Sequence, residues 1–196
     1  RLDRVADGFR SDYAKAAKIA TIKRDYDGAK QAFELAMLDE PLNAALRERY
    51  ASFLLRNIGK ASLALPYAEQ ATELDPHSAD AWLTLGLIRY NLWDLKAGDQ
   101  AMDKAMKYGK PEMLGLLRKA IARYHTAKRE PYSKRALRLL KEAEALVDRS
   151  LKAGSTKDFY YRKNRLEAEK YSSLARGLII QINRREVLSE NAPQRG

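Results

Sequence analysis

The chain has 196 residues, 45 % of them hydrophobic and 32 % charged, with 10 Gly and 6 Pro; this balance excludes disordered and fibrous classes and suits one folded helical architecture. Cys is absent, which removes disulfides, thiolate nucleophiles and cysteine-bound zinc. The net charge of +11 is lopsided, because residues 1–111 hold 17 Lys and Arg against 16 Asp and Glu, whereas residues 112–196 hold 20 against 10.

A basic half attracts nucleic acid, anionic lipid or an acidic protein through its long-range field. The longest apolar runs, such as Leu178-Ile179-Ile180, fall far short of the roughly 20 residues that cross a bilayer, so no membrane-spanning segment is expected. The first residue is Arg1, which points to a processed chain or a fragment. The expected address is that of a soluble chain in cytoplasm or periplasm, without a choice between them.

Apolar residues recur at helical spacing throughout, and the spacing predicts helices over 10–23 and 26–39, 43–57 and 60–74, and 78–92 and 94–108. Breaks fall at Asp25 to Gly28, Gly59-Lys60 and Trp93-Asp94, and Pro41, Pro76 and Pro111 recur every 35 residues after the second helix of each pair. Pro66 interrupts the fourth helix and predicts a late start or a kink. Further on, Leu114, Leu117, Ile121 and Tyr124 mark a helix over 112–129, and Leu137, Leu140, Ala143 and Val147 mark one over 132–153. Ser155 and Asp158 have capping-box spacing and open a last helix expected to run over 155–187.

These pairs resemble the tetratricopeptide-repeat family, whose unit of about 34 residues asks for a large residue, Leu-Gly, an aromatic, spaced small residues and a final Pro. Residues 79–112 are similar through Trp82, Leu85-Gly86, Gly98, Met102 and Ala105, with Arg89 in place of an aromatic. Residues 10–43 match through Tyr13, Ala17, Tyr26, Ala29, Phe33, Ala36 and Pro41. Residues 44–78 match through Tyr50-Ala51, Leu54, Ala64, Ala68, Ala71 and Pro76, with one extra residue near the turn.

The resemblance implies an all-α, right-handed superhelix of antiparallel helix pairs. Three recognisable repeats occupy 1–111, a degenerate fourth pair occupies 112–154, and a capping helix with a disordered tail occupies 155–196. It also implies that Trp82 is buried between helices.

Catalytic machinery is not expected. The two histidines, His77 and His125, read as surface or packing residues, no nucleophile, phosphate-loop or metal-binding motif occurs, and no cofactor is called for. The resemblance places recognition on the concave face formed by the first helix of each pair. By repeat position that face shows Ala14, Lys18 and Thr21, then Glu48, Ser52, Leu55 and Arg56, then Leu83, Leu87, Tyr90 and Asn91, and finally Leu117, Ile121 and Tyr124. Some family members clamp a peptide carboxylate with Lys and Asn on successive first helices, and Ala14 and Glu48 at those slots argue against that ligand.

The expected function is therefore a scaffold that binds a peptide or helix of a partner protein, within a larger assembly, secretion or envelope-biogenesis system. The alternative is electrostatic binding of nucleic acid, anionic polymer or a membrane surface through a basic patch of Lys157, Arg162, Lys163, Arg165 and Lys170. Finally, Leu166, Leu174, Leu178 and Ile182 are expected to form the stripe by which the last helix packs on the fourth pair.

Overall fold

The computed structural model describes residues 2–154 and 161–190, and every regular element among them is helical. The elements are α1 (Leu2–Lys23), α2 (Tyr26–Asp39), α3 (Ala44–Phe53, continued as a π-helical turn over Leu54–Ile58), α4 (Ala61–Leu74) and α5 (Ala79–Asn91). They are followed by α6 (Leu95–Lys107), α7 (Glu112–Arg129), α8 (Lys134–Ala153) and α9 (Tyr161–Glu190). Residues 155–158, with the expected capping box, lie outside the described residues. The first helix begins at Leu2 and not near residue 10, and the chain there continues the helical spacing through Leu2, Val5 and Phe9. The described residues fall into two compact units, Arg1–Gly109 and Lys110–Gly196.

In the first unit three helix pairs repeat one local design. Each pair turns through a single left-handed residue, Arg24 (φ 62°), Gly59 (φ 73°) and Trp93 (φ 66°). The next residue then starts the second helix. Asp25 and Asp94 accept backbone N–H bonds from Gly28 and Ala97 at 3.0 Å, satisfying donors that have no partner inside the helix. First helices open the same way, with Asn43 accepting from Leu46 N–H and Ser78 from Ala81 N–H.

The extra residue of the second repeat is absorbed inside the first helix of that pair. At the end of α1 and of α5 the closing bonds run from Asp25 N–H to Ala20 O and from Asp94 N–H to Arg89 O, whereas after α3 Lys60 N–H reaches back to Leu54 O, one residue further. A single inserted residue widens one turn into a π-helix instead of lengthening the loop. Pro66 does not delay α4, which starts at Ala61. It sits on the exposed side of the helix, where the freed Ser62 carbonyl meets water.

Packing between paired helices rests on small side chains. Ala17, Ala29, Ala36, Ala51, Ala64 and Ala68 are buried in one cluster with Phe33, Tyr50, Phe53 and Ile88. Phe33 lies 5.2 Å from Tyr50 and 5.4 Å from Phe53, centroid to centroid, which gives the unit an aromatic centre. In the third pair α6 approaches α5 where Gly98 faces Tyr90, and a Cβ at Gly98 would stand 2.4 Å from that ring. Trp82 departs from expectation. It is half-buried, its indole N–H donates to Pro76 O at 2.8 Å and the Lys104 ammonium covers its ring at 3.8 Å. The indole therefore packs partly against the core cluster and partly beneath Lys104, at the edge of the pair.

The second unit is the α7–α8 pair with α9 packed against both. Ser150, fully buried, donates its hydroxyl to Met113 O at 2.8 Å, and Arg118–Glu167, Arg123–Glu142 and Arg176–Glu144 each join two different helices at 2.8–2.9 Å. The face of α9 turned inward is not the expected leucine stripe. Asn164, Ala168, Ser172, Ala175 and Ile182 are buried with Tyr171 and Leu178 beside them, while Leu166 is 62 % and Leu174 39 % exposed. Steps of four and three residues track a helix seam, and small residues along it let the helices approach closely. A stripe spaced eight, four and four drifts off that seam at its first two members.

Two stability measurements check this account. Gly98→Ala gains helix propensity yet is expected to lower unfolding free energy by about 1–3 kcal/mol in urea titrations, because the Tyr90 ring must move; unchanged stability would show that the ring does not sit on Gly98. Arg24→Gly, at an exposed left-handed position, is expected to raise stability by about 1 kcal/mol in the same assay. A loss there would show the turn to be formed differently.

Candidate functional site

Helical geometry places Asp80, Leu83, Thr84, Leu87 and Asn91 on one face of α5. That face adjoins α3, and the two are tied by a hydrogen bond of 2.6 Å from the Thr84 hydroxyl to Glu48 Oε1. Leu83 and Leu87 remain half-buried, as do Ser52 and Leu55, while Arg56 and Asn91 are exposed. Asn91 steadies its own position by donating to Leu87 O at 2.9 Å. On α1, Lys18 is exposed, Thr21 returns its hydroxyl proton to Ala17 O at 2.8 Å, and Ala14 leans on the core.

Electrostatically the centre of this surface is Glu48. Burial pushes its carboxyl pKa above the ordinary value of 4.5; the Thr84 hydrogen bond opposes that, Asp80 reinforces it, and Arg56 and Arg49 oppose it from a distance. Among the described residues Glu48 forms no ion pair. A half-buried carboxylate beside two leucines and without a counter-ion is costly to leave alone and favourable to pair with an incoming cation.

Other expected members of the face go elsewhere. Tyr90 is buried, its hydroxyl donating to Asp99 Oδ1 at 2.7 Å, because it turns toward α6 and the space at Gly98. On α7 Leu117 is fully buried with Ala120, Ala143, Val147 and Ala168, and Ile121 packs on that cluster. Tyr124 is buried with its ring 5.4 Å from Tyr171. The α7 surface expected to continue the groove is therefore covered by α9 of the same unit. Thr84 and Asp80 were missed in the sequence, although Thr84 is the one hydroxyl in the apolar run from Ala81 to Ile88.

Of the basic patch, Arg162, Lys163, Arg165 and Lys170 are exposed on α9, and Lys157 lies outside the described residues. Arg165 is held by Glu169 at 2.8 Å, and Lys170 stands over the Tyr171 ring. The histidines pack on rings: His77 against Tyr108 at 5.0 Å, and His125 against Tyr171, with Nε2 3.1 Å from its hydroxyl. Among the described residues no group of His, Asp and Glu is arranged to hold a metal ion, and no helix is long and apolar enough to cross a membrane. A depression of about 590 Å³ lies between α5 and α6, on the side of α5 opposite Leu87, and is lined by Trp82, Arg89, Gln100 and Lys104. Its cations are already engaged, Arg89 by Glu69 and Lys104 by the indole.

No protein-family model matches the chain, and no curated protein matches it. Solved structures do. The MamA protein aligns with a TM-score of 0.57 over 86 % of this chain and 91 % of its own, at 17 % identity. YrrB, described as a TPR protein with an unusual peptide-binding site, aligns with a TM-score of 0.56 over 82 % of this chain and 74 % of its own, at 20 % identity. PilW, a type IV pilus biogenesis factor, aligns with a TM-score of 0.55 over 94 % and 79 %, at 16 % identity. The chain has a tetratricopeptide-repeat fold. That fold is all-α, as the resemblance implied.

The Glu48 environment has a measurable consequence. A carboxyl whose folded pKa lies above its unfolded value favours the folded state fully below the unfolded pKa, and that contribution is lost as pH rises through the folded pKa. Glu48→Gln keeps an acceptor for Thr84 and removes the charge. It is expected to melt at a higher temperature than the parent near pH 7, with the difference fading toward about pH 4. Equal melting at both pH values would place the Glu48 carboxyl in water.

Proposed function

We propose that this chain is a non-catalytic protein-binding scaffold whose α1–α3–α5 face takes a short segment of a partner protein. The observation that carries the reading is the juxtaposition of Leu83 and Leu87, half-buried on α5, with the unpaired Glu48 carboxylate bonded to Thr84. An apolar side chain of the partner covers the leucines, and a Lys or Arg next to it meets Glu48 and Asp80. Arg56 and Asn91, beyond Leu55 and Leu87 toward the helix C-termini, suit a carboxylate or backbone carbonyl on the same segment. YrrB, with its peptide-binding site, and PilW, a pilus biogenesis factor, are neighbours whose roles support this reading and a place in a larger assembly, secretion or envelope-biogenesis system.

The reading is tested by selecting peptides from a random library on the immobilised intact chain and titrating the winners. Selected peptides are expected to pair an apolar residue with a neighbouring Lys or Arg. Leu87→Glu should weaken them at least about tenfold, whereas Leu38→Glu, at an exposed position of α2, should not. Peptides indifferent to both Leu87→Glu and Glu48→Gln would move the binding site off this face.

A further inference from the structure

The second unit carries more cations than its fold uses. Ion pairs hold Arg118 and Arg123 of α7 to Glu167 and Glu142, and Arg165 and Arg176 of α9 to Glu169 and Glu144, while Arg162, Lys163 and Lys170 of α9 stay exposed. Across the outer face of α8 the exposed cations fall into one row. Taking 3.6 residues per turn, Lys134, Arg138, Lys141, Arg149 and Lys152 fall within an arc of about 80°, directly opposite the buried Ala136, Ala143 and Val147. All five are exposed. Only Arg138 has an acidic neighbour, Glu142 at 3.9 Å, and that carboxylate is already shared with Arg123. Two acids, Glu142 and Asp148, flank the arc at its two edges.

We propose that this face of α8 docks on an anionic phospholipid surface, by headgroup contacts and without insertion. Three features select that occupant. The cations form a straight row about 27 Å long on a convex helix, so a plane touches all of them at once, whereas the phosphates of a duplex curve away from a straight rod. The row contains no aromatic or amide side chain to stack on bases or read their edges, so it lacks what single-stranded and sequence-specific nucleic-acid sites use. Ala145 sits among the cations and Leu137 beside the arc, and together with Lys134, Arg138, Lys141 and Glu142 they line an open depression of about 530 Å³, in which a headgroup meets charge and hydrocarbon side by side. This surface is separate from the α1–α3–α5 face and takes a different partner.

The experiment is co-sedimentation of the intact chain with vesicles of phosphatidylcholine alone or with about one third phosphatidylserine, at low and high salt. Each Lys or Arg near such a surface contributes about a fivefold gain in partition. Binding is expected only to the anionic vesicles, to fall away near 1 M salt as screening shortens the field, and to drop about 100-fold in the triple variant Lys134→Gln, Lys141→Gln, Lys152→Gln. A matched control, Lys23→Gln, Lys60→Gln, Lys96→Gln, removes the same charge from exposed positions of the first unit and should stay within about threefold of the parent. Circular dichroism of both variants checks that they remain folded. The proposal is overturned if the parent ignores anionic vesicles, if the control loses as much binding as the α8 variant, or if a DNA duplex or polyglutamate binds α8 more tightly than the vesicles at equal ionic strength.

Discussion

Close approach of helices through alanine and glycine is the constraint on which the rest of this structure depends. Among the described residues half of the buried apolar side chains are alanines, and they run through the core clusters: Ala17, Ala29, Ala51, Ala64 and Ala68 in the first unit, and Ala120, Ala143 and Ala168 in the second. Two helices that meet through methyl groups lie near enough for a turn of two residues to join them. A turn that short needs one left-handed residue to reverse direction and one capping residue to start again, which is the Arg24-Asp25 and Trp93-Asp94 arrangement. Larger side chains at those crossings would force the pairs apart and break the turns. The repeat length is thus a consequence of residue size at a few positions.

That logic explains how much could be read before any coordinates. Helix positions were legible because Pro41, Pro76, Pro111 and the turn residues punctuate the chain, and most ends fell within about two residues of the spacing argument. What stayed illegible was which side of a helix an apolar residue faces when neighbouring helices compete for it. Tyr90 and Tyr124 fit a groove by repeat position, yet each had an alternative cavity, at Gly98 for one and against Tyr171 for the other, and burial won. On α9 the large leucines drew attention away from the alanines and serines that make the seam. Size misleads where close approach is the currency of stability.

The same competition sorts the charges. Arg118 and Arg123 of α7 and Arg176 of α9 sit where helices meet and find glutamates across the junction, so their charge is neutralised within the fold. Those on the outer face of α8 lie exposed on the side of the helix away from its buried alanines. Composition alone reported a basic half and could not say which helix kept its charge, because pairing depends on which residues tertiary packing brings within about 4 Å. Glu48 is the mirror case in the first unit: a half-buried acid that accepts the Thr84 hydroxyl and has no ion pair among the described residues, with Asp80 adding like charge nearby.

The π-helical turn shows how a fold held by such contacts takes up change. An extra residue in a loop would leave both helices of the pair untouched and alter nothing on their surfaces. Inside α3 it widens the last turn, and every side chain after Phe53 is rotated relative to the regular helix while Gly59 still closes the turn at φ 73°. The residues so displaced are Leu55 and Arg56, two members of the candidate face, whereas the alanine contacts of Ala51 with the core are preserved. One insertion therefore changes which side chains the second repeat exposes at the end of α3 while Ala51 keeps its place in the core. It makes this stretch of α3 the place where the surface of this chain departs from a regular succession of first helices.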